Sequence, residues 1–397
     1  DFFVAYQAAV VAHLAIAALG VWFWLRDRGH SRLAALIPGL CVASGGIVLS
    51  MVNRLDKLES FSWWPFAMWG LDRLVRRSRG GFAILVGALA LNFLAGGLEV
   101  WGLTLVSLGI WGILAPATAE RLETCEARRE LAVDNASEHL AVQRETAEHG
   151  AIRSVSRHLR QVFLERWRPL TGLLLAIVVS LCVTAPQWVA LRELMSLSTR
   201  ASGLRFERAI EMSLRPGDLW GLLVPWLYYD PTLLSFTPAP GAPSEPRYYY
   251  GLYLGVVPVL AVLSTIPLFF QRGVSARTVR ACSILIAGSL FFALGGFNPL
   301  YRPIYDLVGP LRSIRFPEKF VVLGWFFLLP LVALGIERWW RSARVTAALF
   351  GAGLGLLMAL FLLPGLVLMP LAWLLQFTNG GEQSSWLTHL RLSLIHI

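Results

Sequence analysis

The sequence predicts an all-α, polytopic helical membrane protein with about ten membrane helices. Three observations predict it. Apolar stretches follow one another along the 397 residues, which are 56% hydrophobic and only 15% charged, against about 25% charged in soluble domains. The loops between them alternate between Arg-rich and Arg-poor. Sixteen Trp are enough to furnish aromatic belts at two membrane interfaces.

A bilayer core of about 30 Å takes roughly 20 apolar residues as helix. Residues 3–25 and 33–51 have that length, and the Arg-rich loop 26–32 joins them. Residues 61–75 form a shorter span that runs into Arg73, Arg76, Arg77 and Arg79. The stretch 81–115 is too long for one span and breaks at Ala95-Gly96-Gly97, which gives two short helices, 81–94 and 98–115. Then come 169–190, 249–270, 281–297 (preceded by Arg272, Arg277 and Arg280) and 320–337 (followed by Arg338, Arg341 and Arg344). The last stretch, 345–374, exceeds one straight span, and Pro364 and Pro370 are expected to kink it or turn it along the interface. The chain thus divides into membrane helices over 1–115, a polar segment 116–168, membrane helices over 169–377 and a tail, 378–397. It opens at Asp1 without Met and closes on Leu392-Ser-Leu-Ile-His-Ile397, so it is expected to be a fragment truncated at both ends, with an artefactual tail.

Placing the Arg-rich loops inside sets the topology. Asp1 lies outside, as do 52–60, 95–97, 191–248 and 298–319. The segment 116–168 is cytoplasmic. Its nine Arg and nine acidic residues fall at helical spacing, which predicts solvated amphipathic helices whose basic end, Arg153 to Arg168, meets anionic headgroups of membrane lipids. Residues 219–229 are too short to span and are expected to lie in the outer interface.

Charge and cysteines exclude other classes. The net charge of +10 invites a nucleic-acid partner, but the Arg residues sit at span ends, so the positive-inside bias accounts for them and no nucleic acid is expected. Of the 35 basic residues only Lys57 and Lys319 are Lys. Cys41, Cys182 and Cys282 fall in apolar spans and Cys125 in the polar segment; none forms a C-x-x-C pair, so neither a disulfide frame nor a metal site is expected. There is no phosphate-binding loop, no H-E-x-x-H, no G-x-S-x-G and no dinucleotide fingerprint. The two halves do not match as an inverted repeat, which disfavours a secondary transporter.

The informative residues cluster at the outer face. Loop 298–319 carries Arg302, Arg312, Arg315 and Lys319 on the side that should be poor in cations. An anionic ligand at the membrane surface explains them: Arg grips phosphate oxygens bidentately and Lys adds a point charge. The competing explanations are snorkelling to headgroups and pairing with Asp306 and Glu318. Glu99, at the outer end of 98–115 after two Gly, must pair with an Arg of 298–319, face a substrate pocket or lie exposed at the interface. His13 reads as a hydrogen-bonded packing residue. Ser196-Leu-Ser-Thr-Arg200 and Tyr248-Tyr-Tyr-Gly251 lie at outer span ends, the tyrosines as belt residues before sugar-stacking ones.

Several of these segments resemble the YfhO-like family of bacterial membrane proteins, which belongs with the GT-C glycosyltransferases. They are Ser62-Trp-Trp-Pro65 leading to Leu71-Asp-Arg73, Leu94-Ala-Gly-Gly-Leu-Glu99, Ala185-Pro-Gln187 with Ser198-Thr-Arg200, Tyr250-Gly251 and Arg312-Ser-Ile-Arg315-Phe-Pro-Glu-Lys319-Phe. The run from Arg315 to Lys319 is the most specific, and segment 116–168 has no counterpart. The resemblance implies a GT-C-like fold in the bacterial inner membrane and an enzyme that moves a sugar from a polyprenyl-phosphate donor to an envelope glycan or lipid acceptor. It implies a donor-phosphate role for Arg315 and Lys319. Arg312, Glu99 and Arg200 complete the substrate-binding candidates. The family's catalytic acid falls in the first outside loop, which would precede residue 1, so no catalytic residue is assigned and the fragment alone is expected to be inactive. A divalent metal is compatible with the chemistry, but no complete ligand set is visible. The rival classes are a lipid or polyprenyl-lipid flippase, which needs a polar route through the membrane, and a non-catalytic scaffold.

Overall fold

The computed structural model describes residues 2–114, 170–198, 203–223 and 248–342, with Gly351 and Gly355 besides. The expected amphipathic segment 116–168, the last span 345–374, most of 219–229, and Arg200 lie outside the described residues. Among those described, all regular structure is helical.

The helices are α1 (Phe2–Asp27), α2 (Arg32–Ser44), α3 (Gly46–Ser50), α4 (Leu55–Val75), α5 (Gly81–Leu94) and α6 (Leu98–Leu114). After these come α7 (Leu170–Val183), α8 (Ala185–Ser196), α9 (Val256–Leu263), α10 (Val274–Ala293), α11 (Tyr301–Leu307) and α12 (Val321–Arg341). Local signals set the boundaries. Gly29, at φ +92°, turns the chain out of α1, and the Ser31 hydroxyl caps α2 by accepting the Ala34 N–H at 3.3 Å. Gly96, at φ +86°, makes the turn that reverses α5 into α6.

Four helices among the described residues are long and apolar enough to cross a membrane: Phe2–Asp27, Arg32–Ser50, Val274–Ala293 and Pro317–Arg341. A fifth crossing follows if α7 and α8 count as one broken span. This is a smaller set than the ten apolar stretches suggest. Helix α4 has the length, 21 residues, but too many charges, while α5, α6 and the 256–269 pair are short. Three expected boundaries move. Helix α4 starts at Leu55, not at 61, because Asp56, Lys57 and Glu59 are built into its first turns; Asp56 there complements the helix dipole. Residues 248–255 precede any helix, since they hydrogen-bond sideways: Tyr250 and Gly251 donate to Ser50 Oγ, and Gly46 donates to the Tyr253 carbonyl. The expected span 169–190 bends by 80° after Val183, where Pro186 opens a new helix.

Two buried helices organise the bundle. Helix α4 packs against α1, α5 and α6, and α12 packs against α2, α9 and α10. They meet at Phe326, whose ring stacks on Trp64 at 4.6 Å and on Trp24 at 5.6 Å and meets Phe61 edge-on. Backbones approach closely at Gly335, where a Cβ would lie 2.1 Å from the Ala261 carbonyl oxygen of α9.

The Arg-rich loops all gather at one end. Buried Asp72 accepts the indole N–H of Trp24 at 2.7 Å, that of Trp111 at 3.0 Å and the guanidinium of Arg28 at 2.7 Å. Arg28 also reaches Thr278 at the start of α10 and lies over the Trp111 ring. Around this knot Asp27 pairs with Arg73 and Arg76, and His30 meets Glu337 at the end of α12. A buried ion pair with its remaining lone pairs filled is stable where a lone charge is not. His13 Nδ1–H donates to the Ala9 carbonyl of its own helix at 2.8 Å.

Candidate functional site

At the opposite end the only two lysines of the chain converge on one carboxylate. Glu99 stands in the first turn of α6, directly after the Gly96–Gly97 turn. Its Oε1 accepts the Lys319 ammonium, and its Oε2 lies 3.3 Å from Lys57 Nζ. The Tyr248 hydroxyl donates to the same Oε2 at 3.1 Å. Lys57 is shared with Asp56 at 3.1 Å. Four separate chain segments therefore supply one ionic cluster: the start of α4, the start of α6, the non-helical run from residue 248, and the turn that opens α12.

The local backbone explains how each group is held. Gly97 lies against the first turns of α4, where a Cβ would come within 2.3 Å of Ser60 Oγ. That hydroxyl accepts the Gly97 N–H at 2.9 Å and donates to the Asn92 carbonyl at 3.0 Å, so the α5–α6 turn is pinned to α4 and Glu99 with it. Phe316 takes a left-handed φ of +70°, costly for a residue with a side chain. Its N–H is held by the Ala209 carbonyl, and the N–H of Glu318 by that of Met212. The buried Glu318 carboxylate in turn accepts the N–H groups of Tyr248 and Tyr249, at 2.9 and 3.4 Å.

Aromatic faces line the cluster. Lys319 Nζ lies 4.8 Å from the Tyr248 ring centroid and 5.2 Å from that of Phe316, and the Arg54 guanidinium lies 4.3 Å from the Tyr248 ring. Each is within cation–π range. Burial first, and then the Glu99 carboxylate, push the Tyr248 phenol well above its usual range, so it stays protonated and serves as a donor.

The predicted site residues separate into two groups. Glu99 and Lys319 are brought into direct contact. Arg315 joins them through Phe316, over whose ring its guanidinium sits at 4.4 Å, while its charge pairs with Glu211. Arg312 points elsewhere: it is exposed, donates to the Asp306 carbonyl at 2.5 Å, and its own carbonyl accepts the Leu204 N–H. Arg302 lies over Phe206. Lys57, Arg54 and Glu211 are site residues that sequence reasoning missed. The available signal for Lys57 is its rarity, since a chain that otherwise uses Arg places Lys at two positions only. No group of three or more His, Cys, Asp or Glu side chains suited to a metal comes together among the described residues. The chain matches no family model, no curated protein and no solved structure.

Proposed function

We propose that this chain is a membrane-embedded glycosyltransferase of the GT-C kind, with about ten membrane helices in the bacterial inner membrane. It transfers a sugar from a polyprenyl phosphate to an acceptor outside the cytoplasm. The observation that carries this reading is the meeting of Lys57 and Lys319 with Glu99 between aromatic faces, at the end of the bundle away from the Arg-rich loops. Ammonium groups suit a phosphate.

In the transfer, the bond between the anomeric carbon and the phosphate oxygen breaks as the acceptor oxygen bonds to that carbon. The acceptor's proton goes to a carboxylate, and the lipid phosphate leaves as an anion that cations stabilise. Lys319 and Arg315 serve the leaving phosphate. Glu99, engaged by two lysines and a phenol, is a counter-ion and not the base. The resemblance of the run from Arg315 to Lys319 to YfhO-like proteins is in keeping with this proposal.

Donor binding tests it. Arg315→Ala and Lys319→Ala should each weaken binding of a polyprenyl-phosphate sugar to the full chain about ten- to a hundredfold, since a charge-assisted hydrogen bond is worth about 1.5–3 kcal/mol. Unchanged affinity in a double variant that still inserts in the membrane would leave headgroup snorkelling as the account of these cations.

A further inference from the structure

The donors around Glu99 are arranged for two oxygens that share one negative charge. Lys319 serves Oε1, while Lys57 and the Tyr248 hydroxyl serve Oε2. A phosphodiester presents the same pattern, two non-bridging oxygens carrying one charge between them. We propose that the Glu99 carboxylate stands in for the phosphodiester of an amphipathic ligand, and that the ligand binds by exchange. Lys57, Lys319 and Tyr248 pass from Glu99 to the phosphate oxygens, and Glu99 turns out to water. The inference rests on the phosphate reading given above.

The geometry points to Glu99 as the partner that moves. The Lys319 side chain is 7% exposed and that of Lys57 15%, whereas the Glu99 side chain is 29% exposed. Lys319 is fixed over two rings at the mouth of α12. Tyr248 is fixed by the Glu318 carboxylate, which accepts its N–H. Glu99 stands in the first turn of α6. Exchange also conserves charge. A phosphodiester that entered beside an unmoved Glu99 would set two anions against each other in a half-buried cluster, while exchange leaves the buried Lys319 with one anionic partner before and after.

The test uses the full chain in a non-ionic, phosphate-free detergent with two soluble probes: a ten-carbon prenyl phosphodiester of glucose, and dihexanoyl phosphatidylglycerol. Glu99→Gln removes the competing anion, so it should bind a probe about tenfold or more tighter than the unaltered chain, a gain of about 1.4 kcal/mol or more. Equal or weaker binding by Glu99→Gln, with binding still lost in Lys319→Ala, would overturn exchange alone and leave the phosphate site standing. A gain for the prenyl probe only supports exchange with a lipid-linked sugar; a gain for both supports exchange with phosphodiester headgroups at large. A second readout needs no variant. Carbodiimide coupling at Glu99, followed by peptide mass spectrometry, should rise when the probe saturates the unaltered protein, and a fall or no change would overturn exchange. If neither the unaltered chain nor Glu99→Gln binds either probe and coupling is unmoved, the exchange and the phosphate reading fall together.

Discussion

Lysine at position 319 is not a stand-in for any basic residue. An ammonium is compact and can sit over two rings with its charge against one carboxylate, as Lys319 does over Tyr248 and Phe316. A guanidinium is longer, planar and needs room for its fork. Lys319→Arg should therefore destabilise the protein by about 1–3 kcal/mol through overpacking, although charge is kept. Lys57→Arg, at a more open site already shared with the half-exposed Asp56, should cost under about 1 kcal/mol. Thermal unfolding of the two variants in detergent checks the ordering, and equal losses would contradict it. Little of this pairing was legible in the sequence. Loop 298–319 announced its surplus of cations, but only the fold decides that Lys319 turns inward to Glu99 while Arg315 turns to Glu211, because those partners are 220 and 104 residues away along the chain. The same holds for Asp72: the motif Leu71-Asp-Arg73 was visible, but not that Trp24 of α1, Arg28 of the turn after it and Trp111 of α6 fill its carboxylate.

For the helices, hydropathy located most of them and misjudged their ends. It counts Asp56, Lys57 and Glu59 as loop, whereas a helix surrounded by other helices can carry them in its first turns. It also reads 249–270 as continuous, since apolar content does not report that residues 248–255 hydrogen-bond to α3 and to Glu318. What the helices share is close backbone contact, and glycine sets where it occurs. Gly335→Ala puts a methyl group 2.1 Å from the Ala261 carbonyl oxygen, against rigid backbone, so α12 and α9 must separate. A cost of about 1–3 kcal/mol is expected. Gly109→Ala on α6 meets nothing within 4 Å and should be neutral or stabilising by up to about 1 kcal/mol, from helix propensity alone. Unfolding in detergent separates the two, and a harmless Gly335→Ala would mean that α9 and α12 do not pack so closely.

On the scale of the whole molecule, the ends of the bundle differ in how their cations are used. The loops and helix ends at 26–32, 72–79, 272–280 and 337–341 come together at one end and hold twelve Arg against three acids, Asp27, Asp72 and Glu337. At the other end the short loop 52–60 has two cations and the 95–97 turn none. The longer segment 298–319 has four, but Lys319 and Arg315 are matched by Glu99 and Glu211. Unbalanced Arg in short loops resists translocation, which is the ground for proposing the first end in the cytoplasm and the Glu99 cluster outside. The alternation was legible in the sequence, and the structure adds that the Arg-rich loops do share an end. Labelling decides which side that is. In a chain whose native cysteines are replaced, Asn53→Cys and Arg79→Cys put single thiols at exposed positions of opposite ends. A membrane-impermeant maleimide applied to intact cells should label position 53 and reach position 79 only after permeabilisation. The reverse pattern would invert the topology, put the Glu99 cluster in the cytoplasm, and remove the ground for a donor at the outer face.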